Sequence, residues 1–138
     1  GALFRALLEG VAMESRSALE PELAFAGLER PQAIVAVGGS VRSRLFMEIK
    51  AAVYNQAVTV VSVEEATALG AALLAGIGAG VFPDHEAAVA ALNLERTVVA
   101  PDPGWVKRYE TLYQEVYVHL YDALLPLHRR LHALFRQG

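Results

Sequence analysis

Ala33-Ile34-Val35-Ala36-Val37-Gly38-Gly39-Ser40, with Leu45, Ile49 and Val53 beyond it, reads as a strand, a glycine turn and a helix. An uninterrupted apolar run between Pro31 and the glycine pair has the composition of a parallel strand buried on both faces. Leu45, Ile49 and Val53 recur at helical spacing, and Asn55 suits a left-handed cap at the helix end. Ser40 stands where an N-cap would. Val58-Thr59-Val60-Val61 supplies a second apolar strand, so the segment predicts a βαβ unit.

Upstream, Leu3, Leu7, Val11, Leu19 and Leu23 predict a helix over residues 2 to 27, kinked or divided at Pro21 and stopped at Gly27. Downstream, Ser62-Val63-Glu64-Glu65 has the spacing of a capping box and opens an Ala- and Leu-rich helix to about Ala75. Gly76, Gly78 and Gly80 break it, and Ala68, Ala71, Ala72 and Ala75 suit close packing against a sheet. Asp84 caps a short helix, Thr97-Val98-Val99 is extended, and Pro101-Asp102-Pro103-Gly104 turns the chain. One long helix follows from Trp105 to near Phe135. Its stripe is Tyr109, Leu112, Val116, Leu120, Leu124, Leu127, Leu131 and Leu134, with a bend or break at Pro126. Two strands alone make a marginal sheet. Residues 1–138 are therefore expected to form a single, incomplete α/β domain, with about two parallel strands, flanking helices and a long C-terminal helix. Missing strands would come from a parent chain or a partner. Gly1 stands where an initiator Met would, so the chain reads as cut from something longer.

Composition narrows the function. The chain has 54% hydrophobic and 20% charged residues and a formal charge of -3. That is globular and not a basic nucleic-acid footprint. Cysteine is absent, which excludes disulfides and thiolate metal sites and fits a reducing, cytoplasmic setting. Charges interrupt every apolar run before membrane-spanning length, so no membrane partner is expected.

The chemistry in reach is that of the glycine turn. Two glycines at the carboxyl end of a strand let a ligand approach the backbone, and a helix N-terminus beside them offers unpaired N–H groups. His128 and His132 lie four apart, but no third ligand accompanies them, and Arg129 and Arg130 make a solvated basic helix end the better reading. Glu65 is better read as a cap than as a ligand residue. Tyr113, Tyr117 and Tyr121 read as core or interface packing. No paired carboxylates, nucleophile-base pair or metal cluster emerges, and no catalytic residue is assigned.

Four stretches in order carry a family resemblance. They are Arg5-Ala6-Leu7-Leu8-Glu9-Gly10-Val11; Val37 to Phe46, including Gly38-Gly39 and Ser43; Glu65-Ala66-Thr67-Ala68-Leu69-Gly70-Ala71-Ala72; and Gly78-Ala79-Gly80-Val81-Phe82 with the proline-containing last helix. They resemble the C-terminal domain of the FGGY carbohydrate kinases, in their xylulokinase-like branch. The resemblance implies a partial actin-like ATPase (ribonuclease H-like) domain. It also implies transfer of the ATP γ-phosphoryl group to a sugar hydroxyl, on a ketose such as xylulose, with Mg²⁺. Gly38 and Gly39 would lie against adenosine, Ser43 near the base and Arg42 over the adenine face. The family's catalytic Asp, phosphate loops and sugar-binding domain come earlier in its chains, so this piece alone is expected to be inactive. Ala52, Asn55 and Ala57 stand where the family usually has Asp, Gly and Pro. An alternative is an inactive α/β interaction module that forms homodimers through an exposed sheet edge or the long helix.

Overall fold

The computed structural model describes residues 1–63 and 65–136. Helix α1 spans Ala2–Phe25, strand β1 Ile34–Ala36, helix α2 Arg44–Tyr54 and strand β2 Val58–Val61. Helix α3 spans Ala66–Gly78, α4 His85–Ala90, β3 Arg96–Val99, α5 Pro103–Leu112 and α6 Val118–Phe135. A 3₁₀ turn, Gly39–Arg42, joins β1 to α2, and a π turn, Tyr113–Tyr117, joins α5 to α6.

The βαβ unit forms as expected: β1 pairs parallel with β2, Ile34 opposite Val58 and Ala36 opposite Val60. The sheet gains a third strand. Thr97-Val98-Val99, expected only as extended, pairs antiparallel with β2, and the strand order is β1-β2-β3. Helix α2 covers one face of this sheet and carries α1 and α5 on its other side. Being enclosed from both directions, it buries Phe46, Met47, Ile49, Ala51, Ala52 and Val53. Among the described residues no element packs substantially on the opposite sheet face. Val35 and Val98, in register through Thr59, are 58% and 64% exposed. The expected burial of β1 on both faces is therefore corrected to burial on one.

Three helix ends share one solution. After α1, α2 and α3, a residue with positive φ (Gly27, Asn55, Gly80) lets its own N–H and that of the following residue bond back to carbonyls of the last turn. Asn55, at φ 49°, substitutes for glycine because its short polar side chain tolerates that conformation.

Five other expectations change. Helix α1 runs through Pro21 without division. Its Leu3, Leu7 and Val11 point outward, and Leu8, Ala12 and Met13 meet the core instead. Helix α3 starts at Ala66 with Glu65 as an N-cap whose side chain makes no cap bond, so Ser62 and Glu65 form no capping box. None of its residues is buried, and the alanines pack on no sheet; α3 packs chiefly against α4. The last helix passes through Pro126 unbroken, its irregularity lying at Tyr113–Tyr117.

Helices α1 and α5 are held by alternating aromatic and ionic contacts. Tyr109 donates to Glu9 at 2.7 Å and Tyr113 to Glu20 at 2.8 Å. Arg16 forks onto Glu110 at 2.6 and 3.2 Å, donates to Glu20 and to the Val53 carbonyl, and stacks 4.0 Å over Tyr113. Arg16 thus caps the end of α2 while tying α1 to α5.

Candidate functional site

The glycine turn sits at the carboxyl end of β1 and at the N-terminus of α2. Gly38 has φ 81° and ψ −168°, a conformation open essentially to glycine alone. Its carbonyl accepts from the Val41 N–H at 3.2 Å, and the Ser40 carbonyl from the Ser43 N–H at 3.3 Å, closing the 3₁₀ turn. Gly39 is different. Its φ is not positive, and a Cβ added there meets no heavy atom within 4 Å. Among the described residues, neither backbone conformation nor packing requires glycine at position 39. A ligand lying against the backbone would.

The extra turn moves the cap. Ser43, not Ser40, is the N-cap of α2, its Oγ accepting from the Phe46 N–H at 3.3 Å. That bond uses one acceptor lone pair, so the hydroxyl hydrogen remains able to donate outward. Ser43 is partly exposed and Arg42 exposed, both on the turn. All four residues singled out from sequence, Gly38, Gly39, Arg42 and Ser43, therefore fall within one six-residue loop at the strand end. Open parallel sheets commonly bind ligands at such strand ends.

A shallow depression adjoins the turn, between Val41, Arg44 and Glu48 on one side and Thr97 to Ala100 on the other. Sequence reading missed that wall because β3 showed only a three-residue apolar run. A second depression lies at the opposite end of α2, where Arg16, Glu20, Tyr54, Gln56 and Glu110 meet. Its charges already satisfy one another. The Arg16 guanidinium holds the Glu110 carboxyl below the usual carboxylate range, overcoming the effect of burial. Burial favours the neutral form of Glu9, but hydrogen bonds from Arg5 and Tyr109 outweigh it and hold this carboxyl low as well. These are structural ion pairs, not acid–base candidates. His128 and His132 lie along α6, and among the described residues no three metal-ligating side chains converge. No helix among them is long and apolar enough to cross a membrane.

Residues 1–79 match the family described as the FGGY family of carbohydrate kinases, C-terminal domain. Autoinducer-2 kinase of Escherichia coli (strain K12) is 39% identical over 114 residues, 82% of this chain and 20% of that protein. Autoinducer-2 kinase of Salmonella typhimurium is 44% identical over 81 residues, 59% of this chain and 15% of that protein. Xylulose kinase from Rhodospirillum rubrum superposes with a TM-score of 0.70 at 34% identity, over 92% of this chain and 25% of that one. Gluconate kinase from Lactobacillus acidophilus shares the fold, with a TM-score of 0.69 at 22% identity, over 86% of this chain and 23% of that one. The chain spans about a fifth or less of the length of these curated relatives.

Proposed function

Because the chain belongs to the FGGY family of carbohydrate kinases, we propose that it is the part of an ATP-dependent sugar kinase that faces the adenosine half of ATP. Its fold is a partial actin-like ATPase domain. The observation that carries the reading is Gly39: a glycine that nothing among the described residues demands, at a strand end, in a turn whose shape Gly38 fixes. In this reading the Gly38–Gly39 backbone gives the nucleoside a flat surface, the Ser43 hydroxyl donates toward the base, and Arg42 lies along its face.

ATP supplies the phosphoryl group, and Mg²⁺ neutralises charge on its phosphates. Among the described residues no three metal-ligating side chains converge, and the phosphates themselves supply ligands to that cation. In this reading the nucleophile's base and the contacts to the acceptor belong to the rest of the kinase. The acceptor is a small polyhydroxylated molecule, a ketose such as xylulose being one form. The enzyme works in the cytoplasm, where ATP is made available.

Titration of the isotopically labelled chain with ATP, followed by amide spectra, tests the reading. Shifts concentrated at Gly38, Gly39 and Ser43, reproduced by adenosine and absent with inorganic triphosphate, are expected. Shifts confined to the basic end of α6, or produced equally by triphosphate, would overturn it.

A further inference from the structure

The depression beside the glycine turn has two walls, and each leads into a helix. Val41, Arg44 and Glu48 form one, on the turn and the first half of α2. Thr97 to Ala100 form the other, followed by Pro101 and Asp102 and then by α5. The far ends of both helices meet at one side chain of α1. Arg16 donates at 3.1 Å to the Val53 carbonyl, in the last turn of α2, and forks onto the Glu110 carboxylate, in the last turn of α5, at 2.6 and 3.2 Å. Its Nε donates to Glu20 at 2.8 Å, and Gln114 holds the same Glu110 carboxylate at 3.0 Å. The Arg16 side chain is only 15% exposed, so water weakens these bonds little. It lines none of the depression beside the turn.

We propose, on the reading of that turn as the nucleoside site, that Arg16 is a positioning residue for ATP. It fixes the far ends of α2 and α5 to each other and so sets the spacing between the glycine turn and the β3 wall. A guanidinium holds its donors in a rigid plane, so one side chain fixes two acceptors relative to each other. The aliphatic packing of Ile49 and Val53 keeps α2 in the core, but it is non-directional. The eleven residues of α2 span about 16 Å, so a tilt of about 4° at the Val53 end moves the turn by about 1 Å. A displacement of that size is enough to spoil a binding geometry.

Holding the fold together is a different role, and a neighbouring contact supplies the comparison. Tyr117 also ties α1 to the rest of the molecule, through Glu14, but from the π turn beyond α5. Its loss should weaken the fold, as the loss of Arg16 does, and leave the two walls where they are. Lysine at position 16 separates charge from geometry. It keeps a cation at the end of α2 but cannot fork.

Isothermal titration calorimetry of the full kinase carrying this chain, with ATP and Mg²⁺ and separately with inorganic triphosphate, tests the role. Arg16→Met should raise the dissociation constant for ATP roughly fivefold or more and leave that for triphosphate unchanged. Arg16→Lys, the milder change, should act in the same direction. Tyr117→Phe should lower the melting temperature and leave both constants unchanged. Unchanged affinity for ATP in both Arg16 variants, an equal loss with triphosphate, or an equal loss in Tyr117→Phe would each overturn the proposal. Gly39→Val, titrated alongside, shows which reading has failed. If it weakens ATP binding and the Arg16 variants do not, the site stands and the positioning role falls. If no variant weakens ATP binding, both fall.

Discussion

At Gly38 and Ser43 the shape of the turn depends on single atoms. Gly38 adopts a backbone conformation that a side chain resists, so Gly38→Ala should cost about 1–3 kcal/mol of stability by urea denaturation. Ser43→Ala removes the N-cap of α2 and should cost about 1 kcal/mol. Gly39→Ala, by contrast, should leave the urea midpoint nearly unchanged, since its Cβ enters open space. Ranking these three variants separates residues that hold the turn from one that leaves room beside it. Much at this scale was legible: Asn55 as a left-handed cap and Asp84 as an N-cap whose Oδ1 accepts from the Ala87 N–H at 2.8 Å. Ser40 was misread because a 3₁₀ turn with few sequence marks stands between the glycines and the helix, moving the cap by three residues.

Between elements, the joint of α1 with α5 and the π turn is the part most sensitive to pH. The Glu9 and Glu110 carboxyls titrate below their ordinary value of 4.5 in the folded chain. The stability they contribute is complete above that value and is lost as the pH falls through the lower folded values. Thermal melts should therefore weaken below about pH 4.5, and Arg16→Met should flatten the Glu110 part of that dependence. At the alkaline side the Tyr117 hydroxyl, pushed up to about 12 by burial and by the Glu14 carboxylate, gives the opposite sign. Its contribution is intact below the ordinary value of 10 and disappears as the pH rises toward 12. Tyr117→Phe should remove that loss between the two values. The π turn itself was not legible. A proline draws the reader to residue 126, but the register change comes where Tyr109, Tyr113 and Tyr117, each four apart, must all face α1. Four-residue steps drift around an α-helix, and one wider turn brings them back.

Across the whole molecule, the apolar residues outnumber the places this chain has to bury them. The βαβ unit could be read from pattern, because β-strand and helix periods are local properties. Which face of each helix would be covered could not. Leu3, Leu7 and Val11 repeat as regularly as the residues of α2, yet they point outward because α2 meets the other side of α1. Helix α3 is apolar throughout and buries none of its residues. Periodicity shows that a face wants cover, not what covers it. The excess surface fits a domain completed by further protein, and the proposed kinase supplies it. In that kinase the glycine turn should control the affinity for ATP and leave the acceptor alone. The most direct measurement is steady-state kinetics of the full kinase carrying this chain, comparing wild type with Gly39→Val. KM for ATP should rise roughly tenfold or more, about 1.4 kcal/mol of lost binding, with KM for the sugar unchanged. An unchanged KM for ATP, in a variant that folds and turns over, would contradict the proposed role of the turn.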